Sequence, residues 1–250
     1  MLLDFDGTLV PLQDDPDQVK LDPDVRLLLQ RLAGNPRMIV YIVSGRGLAD
    51  LRKIVCIQGV HLLGMHGWER PGSSLPPEQR EALRAAQRWL ELRLPKSPRI
   101  RVEDKGAGLT VHHRGASLSA TRLAYRVTRQ VLDLFQPTLH LVSGKKIWEL
   151  LPEAIGGKGQ ATLRLLEELP SGTLPIVIGD DTTDEMAFRA LRNGLTLRVG
   201  RTAKTKASLW LRNPAEVREF LERLEAVAHK ESPGASSTSG PRNARCPIRG

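Results

Sequence analysis

Apolar positions along the chain follow two alternating periods. Leu2–Phe5 is a short apolar run, Met38–Val43 (MIVYIV) is continuously apolar and β-branched, and Val60–Met65 is a third such run. Runs of this kind predict strands buried on both faces. Between them the spacing lengthens to that of a helix. Asp22-Pro23 supplies a cap and a first-turn proline, and RLLLQRL carries the pattern to Gly34, a helix stop. Leu51–Val55 also has helical spacing. The alternation returns late. Pro175–Gly179 (PIVIG) and Leu195–Val199 read as strands, and Lys158–Leu169, Thr183–Leu191 and Pro214–Ala228 as helices. Strands alternating with helices predict an α/β fold: a parallel sheet with helices on both faces.

The middle of the chain has another rhythm. Pro71–Pro77 is rich in Pro, Gly and Ser, a boundary signal. A long helical pattern (PEQREALRAAQRWLELRL) follows, and Ser117–Leu134 is a second one. Ile100–Glu103, Leu109–His113, Leu139–Val142 and Lys146–Leu151 alternate as strands do. Two helices beside four strands in hairpin order predict an α+β module inserted in the parallel unit. We therefore expect a discontinuous core over 1–70 and 152–228, an inserted cap over 71–151, and a disordered Ser/Gly/Pro/Arg tail over 229–250.

Composition narrows the class. A chain of 250 residues, 40% hydrophobic and 26% charged, is long enough for a substantial core and has no run of 18 apolar residues to span a membrane. No signal peptide is visible before the first acidic pair. The only cysteines are Cys56 and Cys246, so no disulfide framework is expected and a cytoplasmic location fits. A net charge of +9 favours anionic partners. The positive residues form no dense block and aromatics are only 4%, so we expect no nucleic-acid partner. A monomer is compatible with the sequence.

The candidate chemistry lies where the predicted strands end. Asp4 and Asp6 sit at the carboxyl end of the first strand, where open α/β sheets bind ligands. Residues i and i+2 of an extended chain point the same way, so both carboxylates can face one crevice with Phe5 turned into the core. Gly7 permits a tight turn and Thr8 adds a hydroxyl. Asp180 and Asp181, in GDDTTDE, follow the strand PIVI, and Asp184 lies in the first turn of the next helix. Two carboxylate clusters at one sheet edge repel unless a cation lies between them, and Mg²⁺ is the hard, oxygen-seeking ion expected there. Ser44 ends the MIVYIV strand, and Lys158 opens a helix after Gly156-Gly157. Taken singly, each element reads as a solvated turn, a loop or a helix cap. Together, hydroxyl, ammonium, metal and carboxylates form a phosphoryl-transfer site.

DFDGT, a strand-end Ser44, a helix-opening Lys158 and GDDTTDE resemble the haloacid dehalogenase-like (HAD) phosphatases. EDK (Glu103–Lys105), HHR (His112–Arg114) and GKKIWEL (Gly144–Leu150) narrow the resemblance to the trehalose-6-phosphate phosphatase family, over about 2–222. The resemblance implies a HAD-like Rossmannoid core and an Mg²⁺-dependent hydrolysis of trehalose 6-phosphate, with Asp4 as nucleophile and Asp6 as general acid–base. It puts the metal on the Asp4 carboxylate, the Asp6 carbonyl and Asp180, with Asp181 and Asp184 holding the metal's waters or Lys158, and the phosphate oxygens on Ser44 and Lys158. It gives sugar recognition to Glu103, Lys105, Arg114, Lys145 and Glu149, with Arg46 contributing. His112 and His113 are adjacent on a strand and face opposite sides; neither is assigned a ligand role.

The sequence departs from the family in a first strand of only three residues before Asp4 and in Gly157, where an acidic residue commonly precedes the lysine. The catalytic residues do not separate trehalose 6-phosphate from sucrose phosphate or a glucosyl- or mannosyl-3-phosphoglycerate; only the cap segments do. A catalytically idle sugar-phosphate-binding module is a reading of another class, and the complete catalytic set argues against it.

Overall fold

The computed structural model describes residues 1–13, 15, 18–144 and 146–230. Lys145 and the tail from 231 onward lie outside them. The three-residue strand β1 (Leu2–Asp4) lies in the interior of a six-stranded sheet of order β10-β9-β8-β1-β2-β3. The others are β2 (Val40–Val43), β3 (Val60–Leu63), β8 (Ile176–Gly179), β9 (Leu195–Val199) and β10 (Leu209–Leu211), and every pair is parallel. Shortness does not weaken β1, because both its edges are paired and its side chains are buried.

The sheet is covered on both faces. Leu3 and Phe5 point into a core built with helices α1 (Pro23–Gly34), α2 (Leu48–Ile54) and α7 (Pro214–Lys230). Leu2, Val43 and Val177 point the other way, toward α5 (Gly157–Glu168) and α6 (Thr182–Ala190). Helix α1 starts as its sequence demands: Asp22 Oδ1 accepts from the Asp24 N–H and proline occupies the first turn. Strand β10 was not anticipated. Its three residues, Leu209-Trp210-Leu211, are apolar but largely exposed at the sheet edge, and a run of three is too short to predict a strand.

Between β3 and α5 lies a four-stranded antiparallel sheet of order β4-β5-β7-β6, made of β4 (Arg101–Asp104), β5 (Leu109–His112), β6 (Leu139–Gly144) and β7 (Ile147–Pro152). Helices α3 (Pro77–Arg93) and α4 (Leu118–Phe135) pack on one face of it, through Leu83, Ala86, Leu90, Val127 and Val131 against Leu109, Val111, Trp148 and Leu150. The strict two-residue alternation puts Glu103, Thr110 and Glu149 in one row across the opposite face. That row faces the carboxyl ends of the parallel strands. Among the described residues, no helix is long and apolar enough to cross a membrane.

Candidate active site

A cleft of about 750 Å³ separates the two sheets. On the parallel side, β1, β2 and β8 end at its floor and deliver Asp4, Ser44 and Asp180. Helix α5 enters at the same edge and brings Lys158. Its ammonium donates to Asp4 Oδ1 at 2.5 Å and to Asp184 Oδ1 at 2.6 Å. All three residues are buried.

Carboxylate oxygens of Asp4, Asp180 and Asp184 lie within 4.8 Å of one another. Burial, then the neighbouring Asp184 and Asp180 charges, push the Asp4 carboxyl well above its ordinary value, against the opposing pull of Lys158. Burial opposes the charge on Lys158, but Asp184 and Asp4 outweigh it and hold the ammonium protonated. Gly7 sits at φ +90°, and a Cβ there would lie 2.2 Å from Asp180 Oδ2. Only glycine lets the turn after Phe5 pass beneath that carboxylate.

Asp4 Oδ2 is buried without a hydrogen-bond donor among the described residues. A buried carboxylate oxygen lacking a donor, beside two further carboxylates, is a fit for a hard cation. The donor set is all oxygen, as Mg²⁺ requires, and Asp4 and Asp180 with Asp184 alongside are the residues that would hold it.

Asp181, expected around the metal, and Asp6, expected to offer its backbone carbonyl, are outside that group of carboxylates. Asp181 is the N-cap of α6: its Oδ1 accepts from the Thr182 N–H at 2.7 Å. Asp184 completes the capping box, with Oδ2 accepting from the Asp181 N–H at 2.9 Å. The Asp6 carboxylate is taken by Arg46, whose Nε and NH2 donate to Oδ2 and Oδ1, each at 2.7 Å. Arg46 therefore binds the expected acid–base carboxylate. Thr8, expected beside the substrate, is fully buried beneath the turn and is not on the cleft wall. Its hydroxyl points inward because Leu9 and Val10 close the turn through hydrogen bonds to the Phe5 carbonyl. Ser44 lines the cleft, and its Oγ accepts from the Arg46 N–H at 3.1 Å.

The antiparallel sheet forms the roof. Glu103, Lys105, Arg114 and Glu149 all reach the cleft; Lys145 lies outside the described residues. Glu149 is only 2% exposed, and its carboxylate is heavily committed. Oε1 accepts from Lys105 Nζ at 2.8 Å and from Thr110 Oγ1 at 3.3 Å, and Oε2 pairs with His66 Nε2 at 2.8 Å. Lys105 Nζ also donates to the Gly45 carbonyl at 3.0 Å, which ties the roof to the loop after β2. Burial would raise the Glu149 carboxyl, but Lys105 and His66 overcome it and hold the group well below the carboxylate range.

A carboxyl lowered by folding stabilises the folded chain above its unfolded value near 4.5, and that contribution is lost as pH falls below it. Wild type is expected to lose Tm more steeply than Glu149→Gln between pH 6 and pH 3. Parallel Tm–pH curves for the two proteins would remove Glu149 from the acid response.

His112 Nε2 pairs with Glu103 Oε2 at 2.6 Å; that bond, against burial and with help from Lys105, holds Glu103 below the usual range. His113 turns to the other side and stacks on Trp148, centroids 4.0 Å apart. The sequence reading assigned His112 no role, yet it lines the cleft. It also passed over His66, whose only local sign was the Gly-X-His-Gly turn in GMHG.

The family model described as trehalose-phosphatase matches residues 2–211. A trehalose-phosphate phosphatase of Mycobacterium tuberculosis is 35% identical over 243 residues, covering 90% of this chain and 60% of that protein. Trehalose-phosphate phosphatase B of Arabidopsis thaliana is 32% identical over 247 residues, covering 90% of this chain and 65% of that protein. Among solved structures, the C-terminal domain of trehalose-6-phosphate phosphatase from C. albicans superimposes with a TM-score of 0.76 at 25% identity, over 90% of this chain and 92% of that one. The chain thus spans about 60% of the length of the mycobacterial relatives it matches. With the family model covering most of its length, the chain belongs to the trehalose-phosphatase family.

Proposed function

We propose that this chain is a phosphatase that hydrolyses trehalose 6-phosphate to trehalose and inorganic phosphate, with Mg²⁺, through an aspartyl-phosphate on Asp4. The observation that carries the reading is the convergence of Asp4, Asp180, Asp184 and Lys158 at the ends of parallel strands, with Asp4 Oδ2 lacking a donor. Bound Mg²⁺ would supply charge neutralisation between the Asp4 carboxylate and the phosphoryl oxygens. Lys158 and the Ser44 hydroxyl hold the non-bridging oxygens. The Asp4 carboxylate forms a bond to phosphorus as the bond to the sugar oxygen breaks, and Asp6 gives that oxygen a proton. Water then attacks the acyl phosphate, Asp6 takes its proton, and Asp4 is released with phosphate.

Asp6 acts only once Arg46 has left its carboxylate. The phosphate of a bound substrate would provide the moment for that exchange by drawing the Arg46 guanidinium to itself, the cap (71–151) already touching the core through Lys105 on the Gly45 carbonyl beside it. Glu103, Lys105, Arg114 and Glu149 meet the sugar hydroxyls from the cap side, where charged groups form the stronger hydrogen bonds.

The test is phosphate release from trehalose 6-phosphate, sucrose 6-phosphate and glucosyl- and mannosyl-3-phosphoglycerate, with Mg²⁺ and with EDTA. We expect trehalose 6-phosphate to be turned over fastest, and EDTA to reduce the rate by at least about 10²-fold, several kcal/mol of transition-state stabilisation being lost. Faster release from another of these esters would overturn the substrate assignment, and EDTA-resistant turnover the metal.

A further inference from the structure

His66 lies on the core side of the cleft, directly after β3, in a short 3-10 turn at Met65–Gly67. Its backbone is left-handed at φ +58°, between Met65 at +45° and Gly67 at +90°. Non-glycine residues seldom adopt this region, and successive ones persist only where the surroundings hold them. What the turn achieves is to swing a 5% exposed imidazole under the antiparallel sheet. The ring lies flush against Gly45, where a Cβ would stand 2.9 Å from Cε1. There its Nε2 meets Glu149 Oε2 at 2.8 Å. The carboxylate, held ionised, only accepts, so Nε2 carries the proton.

The acceptor positions of Glu149 can be counted. A carboxylate offers about four lone-pair positions, two on each oxygen. Oε1 already receives two donors, Lys105 and Thr110. Oε2 receives His66. Among the described residues one acceptor position is left without a donor, on the oxygen that His66 holds, and Glu149 lines the cleft.

We infer that His66 is a positioning residue for sugar recognition: it fixes Glu149 across the core–cap boundary so that one acceptor position on Oε2 meets a substrate hydroxyl. The inference rests on the reading of Glu149 as a sugar contact given above and adds the residue that makes the contact selective. Glu149 belongs to the cap and His66 to the core, so their bond forms only when the two halves are together. The hydroxyl acceptor is thus correctly aimed only over an assembled phosphate site.

The experiment measures KM and kcat for wild type, His66→Ala, His66→Gln, Glu149→Gln and the double variant His66→Ala/Glu149→Gln. The substrates are trehalose 6-phosphate and 4-nitrophenyl phosphate, which has no sugar hydroxyl. In His66→Ala the KM for trehalose 6-phosphate should rise about tenfold relative to that for the aryl ester, one hydrogen bond to a charged acceptor having lost its aim. The kcat should change less than about threefold, and His66→Gln, whose amide donates to the same oxygen, should recover most of the loss. In the Glu149→Gln background the further change His66→Ala should raise KM less than about twofold: Lys105 and Thr110 hold the amide oxygen on the Oε1 side, and the NH2 that takes the place of Oε2 accepts nothing. His66→Asn, suited to left-handed backbone, replaces His66→Ala if the alanine variant does not fold. A full tenfold effect in the Glu149→Gln background, or equal shifts for both substrates, would overturn the role. Failure of wild type to release phosphate from trehalose 6-phosphate would overturn the proposed function and this inference with it; turnover with additive variants overturns only this inference.

Discussion

Asp4→Asn is expected to lower phosphate release from trehalose 6-phosphate by roughly 10⁴-fold or more, the scale on which loss of a covalent nucleophile acts. The same substitution should leave Tm, measured in EDTA at neutral pH, no lower than that of wild type. The two expectations have one cause. Burial, with Asp184 and Asp180 nearby, raises the Asp4 carboxyl well above 3.8, so the ionised form is less favourable in the folded chain than in the unfolded one. That penalty appears as pH rises past the unfolded value and grows toward the folded one. Asparagine has the same shape and no charge, so it removes the penalty while destroying the nucleophile. An Asn variant with substantial turnover would refute the assignment of Asp4. One that is inactive and strongly destabilised would refute the account of why an anion is kept there at a cost.

Lys158→Met should act in the opposite sense on stability. The lysine is 5% exposed and lies between Asp4 and Asp184, at 7% and 2%. Its removal strands two buried carboxylates, and breaking a buried ion pair on one side costs about 3–5 kcal/mol. For a chain of this size that is a fall of roughly 10 °C in Tm. Activity should fall by about 10²–10³-fold as well, since a charged donor to the phosphoryl oxygens is lost. Adding Asp184→Asn separates the two effects. The asparagine oxygen can still accept from the Asp181 N–H, while one stranded charge disappears. The double variant should regain more than half of the lost Tm and none of the activity. If its Tm falls below that of Lys158→Met alone, Lys158 and Asp184 are not coupled as the structure has them.

Much of the candidate site could be read along the chain because it depends on local rules. A strand end places Asp4, Ser44 and Asp180 at one sheet edge whatever the details of packing. The two-residue period put Phe5 in the core and separated His112 from His113 without any knowledge of neighbours. Capping chemistry is equally local. Asp181, which the family resemblance put around the metal, also caps the N-terminus of α6 with its carboxylate. Adjacency in sequence does not say which of two carboxylates turns inward.

The sequence by itself determined the α/β alternation, the inserted α+β layer, the strand-end positions of Asp4, Ser44 and Asp180 and the helix-opening position of Lys158, because hydrophobic period and turn residues act over a few positions. Tertiary structure decided which charges pair: Arg46 with Asp6, Lys158 with Asp4 and Asp184, and His66 with Glu149 across 83 positions of chain. It also buried Thr8 beneath its turn and paired a three-residue β1 on both sides. Those outcomes depend on which groups lose water together in a shared interior, and no local pattern records that.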